Sequence, residues 1–162
     1  MLSQPPQTKE LPVEYTLQKG FPPLDAYLHL RRASGLTPKT EAQAKHIPSG
    51  SWYGVYITFK PEKEDAEPEV VGMGRIIGDG GWYFHIADMA VLPAHQRRGL
   101  GDAILSELLR QIREKAPEGD PYINLFADKA GRRLYEKHGF EGCEQHGQVG
   151  MSLPRGWRSA RG

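Results

Sequence analysis

The run Gln96-Arg97-Arg98-Gly99-Leu100-Gly101-Asp102 is the stretch best equipped to hold an anion. A strand-like segment ends at Val91-Leu92-Pro93, a short loop follows, and a helical apolar stripe begins at the glycines. The first N–H groups of a helix have no internal partners and point outward at the positive end of its dipole. Glycine at 99 and 101 removes the Cβ atoms that would keep a phosphate from those groups. Arg97 and Arg98 add positive charge to the same mouth. The chemistry on offer is phosphate or pyrophosphate binding; a plain helix cap with two solvated arginines is the competing account. The run is not a Walker A loop, because no Gly-Lys-Ser/Thr follows. It is not the dinucleotide pattern Gly-x-Gly-x-x-Gly either, because position 104 is Ile and antiparallel strands precede it.

Such a loop must be presented by a strand before it and a helix after it, and the pattern supplies both. Residues 82–92 (WYFHIADMAVL) and 70–77 (VVGMGRII) read as strands joined through Gly78-Asp79-Gly80-Gly81, whose Asp-Gly pair is a hairpin signal. Ile104, Leu105, Leu108, Leu109 and Ile112 form one continuous stripe over 101–115, a helix that Pro117 ends. Arg110 and Glu114 make an i, i+4 pair on its outer face. Upstream, Leu24, Tyr27 and Leu28 open a helix that Gly35 stops, and a second short helix follows Pro38. Residues 52–60 (WYGVYITFK) read as a strand, and the acidic 61–69 as a solvated loop. Downstream, 121–127 (PYINLFA) reads as a strand, Asp128 as the cap of a helix over 129–138, and Gly139 as its stop. Phe140 and 148–153 (QVGMSL) supply a last strand or two. The strand–helix–strand unit demands a parallel pair within a mixed sheet, hence an α/β (α+β) fold.

Composition bounds the rest. The 162 residues carry 21 Lys and Arg against 20 Asp and Glu, a formal charge of +1. That is one domain's length, and the balance argues against a dedicated nucleic-acid binder, which is usually basic. A single cysteine, Cys143, excludes an internal disulfide and suits a reducing compartment. No apolar run approaches the ~20 residues a membrane helix needs, and MLSQPPQTKELP lacks a signal-peptide core. The six histidines (His29, His46, His85, His95, His138, His146) show no i, i+3 or i, i+4 ligand pairing, so no metal site is expected. The expectation is a cytoplasmic protein, monomer or homodimer, without membrane or nucleic-acid partners. Residues 1–23 form an extended lead-in, 24–153 the single domain, and 154–162 a flexible tail.

Three motifs in order resemble the GNAT superfamily of N-acetyltransferases. Gln96-Arg97-Arg98-Gly99-Leu100-Gly101 matches its Gln/Arg-x-x-Gly-x-Gly/Ala signature. Met89-Ala90-Val91-Leu92-Pro93 matches its Leu-Ala-Val-x-Pro strand end, and Leu134-Tyr135-Glu136-Lys137-His138-Gly139-Phe140 its helix end. The likeness covers about 24–153 and is tightest over 70–140. It implies a mostly antiparallel twisted sheet flanked by helices, with one parallel pair splayed at the cofactor site. Acetyl-CoA would be the cofactor, its pyrophosphate at Gln96 to Ala103 (including Leu100 and Asp102) and its pantetheine arm along the backbone of Met89, Ala90 and Val91. The resemblance makes the Val91 N–H the oxyanion donor and Tyr135 the proton donor to the departing thiolate.

An amine must attack uncharged, so a base is needed. Asp88, three residues before Val91, is one candidate, and His85 is the other; a water chain or an already neutral amine remains open. The family often has Asn where Asp128 stands, and Asp accepts a pantetheine hydrogen bond but cannot donate one. Lys129, Arg132 and Arg133 are candidates for the 3′-phosphate, with solvated charge the alternative. Tyr27, Arg31 and Phe84 are the acceptor-site candidates. The acceptor expected is a small primary amine of arylalkylamine or polyamine type. A protein or peptide amine, a non-catalytic acyl-CoA module, and a nucleic-acid contact through the arginines are the other readings.

Overall fold

Asp79 turns the chain between the two longest strands. Its Oδ1 accepts the N–H groups of Gly81, Trp82 and Tyr83 at 2.8, 3.0 and 3.1 Å, and Gly80 takes a left-handed φ of 76°. The hairpin this closes is the centre of a computed structural model that describes residues 10–156. Five strands form one sheet in chain order: β1 (Tyr15–Lys19), β2 (Tyr53–Phe59), β3 (Glu69–Gly78), β4 (Tyr83–Val91) and β5 (Tyr122–Leu125). The first four pair antiparallel, and β4 and β5 pair parallel. Helices α1 (Leu24–Ala33) and α2 (Glu41–Ala44) precede β2; α3 (Leu100–Lys115) links β4 to β5; α4 (Arg132–Lys137) follows.

The two faces of the sheet are covered differently. Ile104, Leu105, Leu108 and Ile112 of α3 are wholly buried, and the helix lies against β2, β3 and β4. It approaches closely because β3 carries Gly72 and Gly74 beneath it. A Cβ on Gly74 would stand 2.6 Å from Ile104 and 2.7 Å from the Met89 sulfur. Gly74→Ala is therefore expected to destabilise by about 1–3 kcal/mol through overpacking, read as a lower urea midpoint with unchanged slope. One residue on, Arg75 faces the other way, toward α1, where strand alternation must put it.

Several expectations need correction. β1 lies inside the segment expected as a lead-in; its five residues pair with β2 from Tyr15↔Phe59 to Lys19↔Val55. Residues 1–9 of that lead-in and 157–162 of the expected tail lie outside the described residues. Asp128 does not cap α4. The chain makes a turn closed by Gly131 N–H on the Asp128 carbonyl, and the helix starts at Arg132 with Gly131 as a cap lacking any side-chain bond. Among the described residues no strand forms at Phe140 or 148–153, and a 3₁₀ turn occupies Cys143–His146. β5 is consequently an edge strand.

Candidate active site

β4 pairs with β5 only from Tyr83↔Tyr122 to Ile86↔Leu125, yet it continues along β3 to Val91. From Ala87 onward its β5-facing edge is open. The N–H of Leu92 bonds to Val71 of β3, and N–H direction alternates along an antiparallel strand. The Val91 amide therefore faces the opening, and so does that of Met89, because Ala90 is the residue paired with Met73. Gln96 Nε2 donates to the Val91 carbonyl at 3.1 Å, bracing the strand end. Val91 and Met89 face α3, while His85, Ala87 and Ala90 line the α1 face.

The loop after β4 begins with a 3₁₀ turn, Pro93–His95, and then adopts left-handed φ at Arg97 (64°) and Gly99 (85°). Gly99 is the cap of α3, and a Cβ there would meet nothing within 4 Å, so the glycine is required by its φ and borders open space. Arg97 and Arg98 are exposed and join no ion pair among the described residues. Free helix-start amides, left-handed turns and two unpaired cations fit a polyphosphate.

Neighbouring positions serve packing instead. Gly101 lets α4 approach, since its Cβ would stand 3.3 Å from Leu134. Leu100 and Ala103 are buried, so only their backbone could meet a ligand. Asp102 turns to α4, accepting bonds from Lys137 and His138 at 2.8 Å each. Burial works against its ionisation, but those two partners outweigh it and hold its carboxyl below the usual range. Arg132 pairs with Glu136 at the surface, and Lys129 and Asp128 are exposed.

Asp88 sits at the β3–β4 irregularity with φ 55°, a left-handed value in a non-glycine residue. Its carboxylate is fully engaged: Tyr27 O–H donates at 2.6 Å, Arg31 Nη1 at 2.6 Å and Arg75 Nε at 2.7 Å. Burial raises its pKa, yet the Tyr27 bond and the two guanidinium charges outweigh burial and lower it. The Tyr27 phenol is pushed up to about 12 by burial and by its bond to Asp88. Arg31 also donates to the Thr37 carbonyl, at 2.9 and 2.7 Å, and Arg75 to Ser51 Oγ at 3.0 Å. Sequence reasoning missed Arg75 and Ser51. A lone Arg inside the apolar VVGMGRII was the available signal.

His85 lies where the parallel pairing is about to end. Its Nδ1 is 2.5 Å from Asn124 Oδ1 across the strands. An amide oxygen only accepts, so Nδ1 carries the hydrogen, which leaves Nε2 as the nitrogen with the lone pair in the neutral ring. The ring also contacts Phe126, centroids 5.6 Å apart. Tyr135 is half-buried against Phe140 and lines a cleft of about 750 Å³ beside β5 and α4. Burial, then the nearby Asp128 charge, raises its pKa, so the phenol stays protonated.

Of the acceptor candidates, Phe84 is excluded by position. It is completely buried and packs on Trp52, ring centroids 4.8 Å apart. Tyr27 and Arg31 are buried as well, committed to Asp88. Among the described residues no group of three or more His, Cys, Asp or Glu could hold a metal ion, and no helix is long and apolar enough to cross a membrane.

Comparison with known proteins agrees with this geometry. A family model described as an acetyltransferase (GNAT) domain matches residues 62–142. An uncharacterized N-acetyltransferase, ycf52, of Pyropia yezoensis is 33% identical over 79 residues, covering 49% of this chain and 44% of that protein. The chain thus spans less than half the length of that curated relative. The crystal structure of SA2161 from Staphylococcus aureus, described as a probable acetyltransferase, superposes with a TM-score of 0.74 at 31% identity, covering 86% of this chain and 98% of that one. At the level of fold alone, the ribosomal-protein-S18-alanine N-acetyltransferase of Escherichia coli is similar, with TM-score 0.60, 19% identity and coverage of 78% and 77%.

Proposed function

Because this chain belongs to the GNAT acetyltransferase family, we propose that it transfers the acetyl group of acetyl-CoA directly to a primary amine. The observation that carries the reading is the open edge of β4, with its outward amides next to the loop of Arg97 to Gly99. The loop and the α3 start would take the pyrophosphate, and the arm would follow the β4 edge from Val91 toward Met89. The thioester end then lies nearer Met89, so the Met89 amide is the better oxyanion donor and the Val91 amide serves the arm. This shifts by two residues the role expected for Val91. Bound acetyl-CoA supplies the activated acyl group and a thiolate leaving group.

The chain's own residues handle the charge and the protons. A preorganised backbone N–H stabilises negative charge developing on the carbonyl oxygen. Nε2 of His85, held by Asn124, accepts the proton of the incoming amine, directly or through one water. Tyr135 O–H returns a proton to the thiolate. Asp88 is unsuited to the base role because its oxygens already accept three strong donors; it fixes the shape of β4 instead.

His85→Ala is expected to lower kcat/KM by about 10²-fold and to flatten its acidic limb, with acetyl-CoA affinity retained. An unchanged pH profile would assign deprotonation to water. The acceptor we favour is a small molecule of arylalkylamine or polyamine type, in the cytoplasm. The test is release of free thiol from acetyl-CoA across a panel of small amines, peptides and proteins. Acceleration by small amines supports the reading, acceleration by peptides alone moves the acceptor to protein, and binding without turnover makes the chain an acyl-CoA module.

A further inference from the structure

We propose that Tyr15, the first residue of β1, is a positioning residue for the cofactor. Through His95, its hydroxyl holds the loop of Arg97 to Gly99 in the shape that takes a pyrophosphate. This rests on the reading that the loop binds that part of acetyl-CoA. Tyr15 Oη and His95 Nδ1 are 2.9 Å apart, although the two residues are 80 apart in sequence.

The loop needs an anchor of this kind. Arg97 takes a left-handed φ of 64°, which a non-glycine residue keeps only where its surroundings over-determine it. Arg97 and Arg98 are themselves exposed, so the restraint comes from their neighbours. On the far side lies α3, whose first residue, Leu100, is buried. On the near side lies the 3₁₀ turn Pro93–His95. The His95 N–H closes that turn on the Leu92 carbonyl at 2.9 Å. A bond spanning three residues shapes the turn but does not fix it against the sheet.

His95 makes the long-range connection. Pro93 and Ala94 are exposed, whereas the His95 side chain is only 12% exposed. Its ring lies against Tyr15 and Phe59, with centroids 5.7 and 4.8 Å away. Those two rings pack on each other at 5.0 Å where β1 pairs with β2. Ring packing locates the imidazole, and the directional bond to Tyr15 fixes its rotation. On the other edge, Nε2 faces the Glu69 carboxylate at 4.0 Å. A carboxylate only accepts, so in the neutral ring the hydrogen sits on Nε2 and Nδ1 accepts from the Tyr15 hydroxyl. Tyr15 is buried, and β1 is paired to β2 along all five of its residues, so the hydroxyl is mounted on the sheet. The loop thereby inherits the position of the sheet.

Tyr15→Phe deletes one oxygen and keeps the ring on Phe59, so the variant is expected to keep a urea midpoint near that of wild type. Its affinity for CoA, read by calorimetric titration, is expected to fall by about 3- to 10-fold, the worth of one hydrogen bond. His95→Ala is expected to lose at least as much, and adding Tyr15→Phe to it should cost nothing more, because the hydroxyl then has no partner. His95→Asn, whose side-chain oxygen can stand in for Nδ1, is expected to recover most of the affinity. Three results overturn the assignment: wild-type affinity in Tyr15→Phe, a further loss when Tyr15→Phe is added to His95→Ala, or a His95→Asn variant no better than His95→Ala. If His95→Ala does not fold, Tyr15→Phe alone decides. A wild-type protein that binds no CoA overturns the cofactor reading and this assignment with it, whereas the three results above overturn this assignment alone.

Discussion

Replacing Tyr135 by Phe is expected to lower kcat by about 10- to 1000-fold, ~1.4 to 4 kcal/mol of barrier, while acetyl-CoA affinity and thermal stability barely change. The Phe ring keeps the edge contact with Phe140 and the space above Gly131, so packing is conserved. What disappears is one proton. Burial and the Asp128 charge raise the pKa of the phenol, which at first sight makes it a poorer acid. On the proposed mechanism the acceptor is a thiolate released into the same half-buried cleft, and desolvation raises the proton affinity of a thiolate as it does that of a phenolate. The difference between donor and acceptor is what governs transfer, and common burial leaves it largely intact. A packing role predicts the reverse pattern: normal turnover in the Phe variant, and loss of stability in Tyr135→Ala. Single-turnover kinetics with chemistry rate-limiting separates the two, and a near-wild-type rate in the Phe variant defeats the general-acid assignment.

What the sequence revealed was what short-range rules decide. The Asp79-Gly80 turn, the α3 stripe and the left-handed stop at Gly139 each depend on a few consecutive residues, and all three are present in the fold. Phe84 was misread for a physical reason. Alternation assigns a strand residue to one face or the other, but it does not say which face a helix will cover. Asp128 looked like a helix cap because its side chain could serve as one, yet the backbone turn to Gly131 used its carbonyl instead. β1 was passed over because YTLQK is short and mixed, and its pairing with β2 is a long-range event. The engagement of Asp88 was hidden for the same reason. Its partners lie 61, 57 and 13 residues away in sequence, and no spacing rule connects them. A family pattern that puts an acid near this position made Asp88 look like a base until its lone pairs were counted.

The same three contacts underlie the other large effect. Asp88→Asn is expected to destabilise the protein by roughly 3–5 kcal/mol at neutral pH, because it leaves Arg31 and Arg75 buried together without their shared anion. The three side chains are only 8–13% exposed, so solvent screens little of this. The sign of the pH dependence follows from the lowered folded pKa. A carboxylate whose folded value lies below its unfolded value contributes stability that is complete above the ordinary range, about 3.9, and is lost as pH falls through the folded value. Wild type should therefore keep its urea midpoint down to about pH 4 and lose stability below it. The Asn variant lacks that contribution throughout, so the gap between the two should narrow as the pH falls. A catalytic base predicts something different: a folded, stable Asn variant with its acidic rate limb gone. Urea titrations and pH–rate profiles of the same variant decide between them, since the proposal gives Asp88 the support of the left-handed bulge and of the outward Met89 amide beyond it, and gives His85 the proton removed from the amine. An Asn variant as stable as wild type, with an altered pH–rate profile, would return the base role to Asp88.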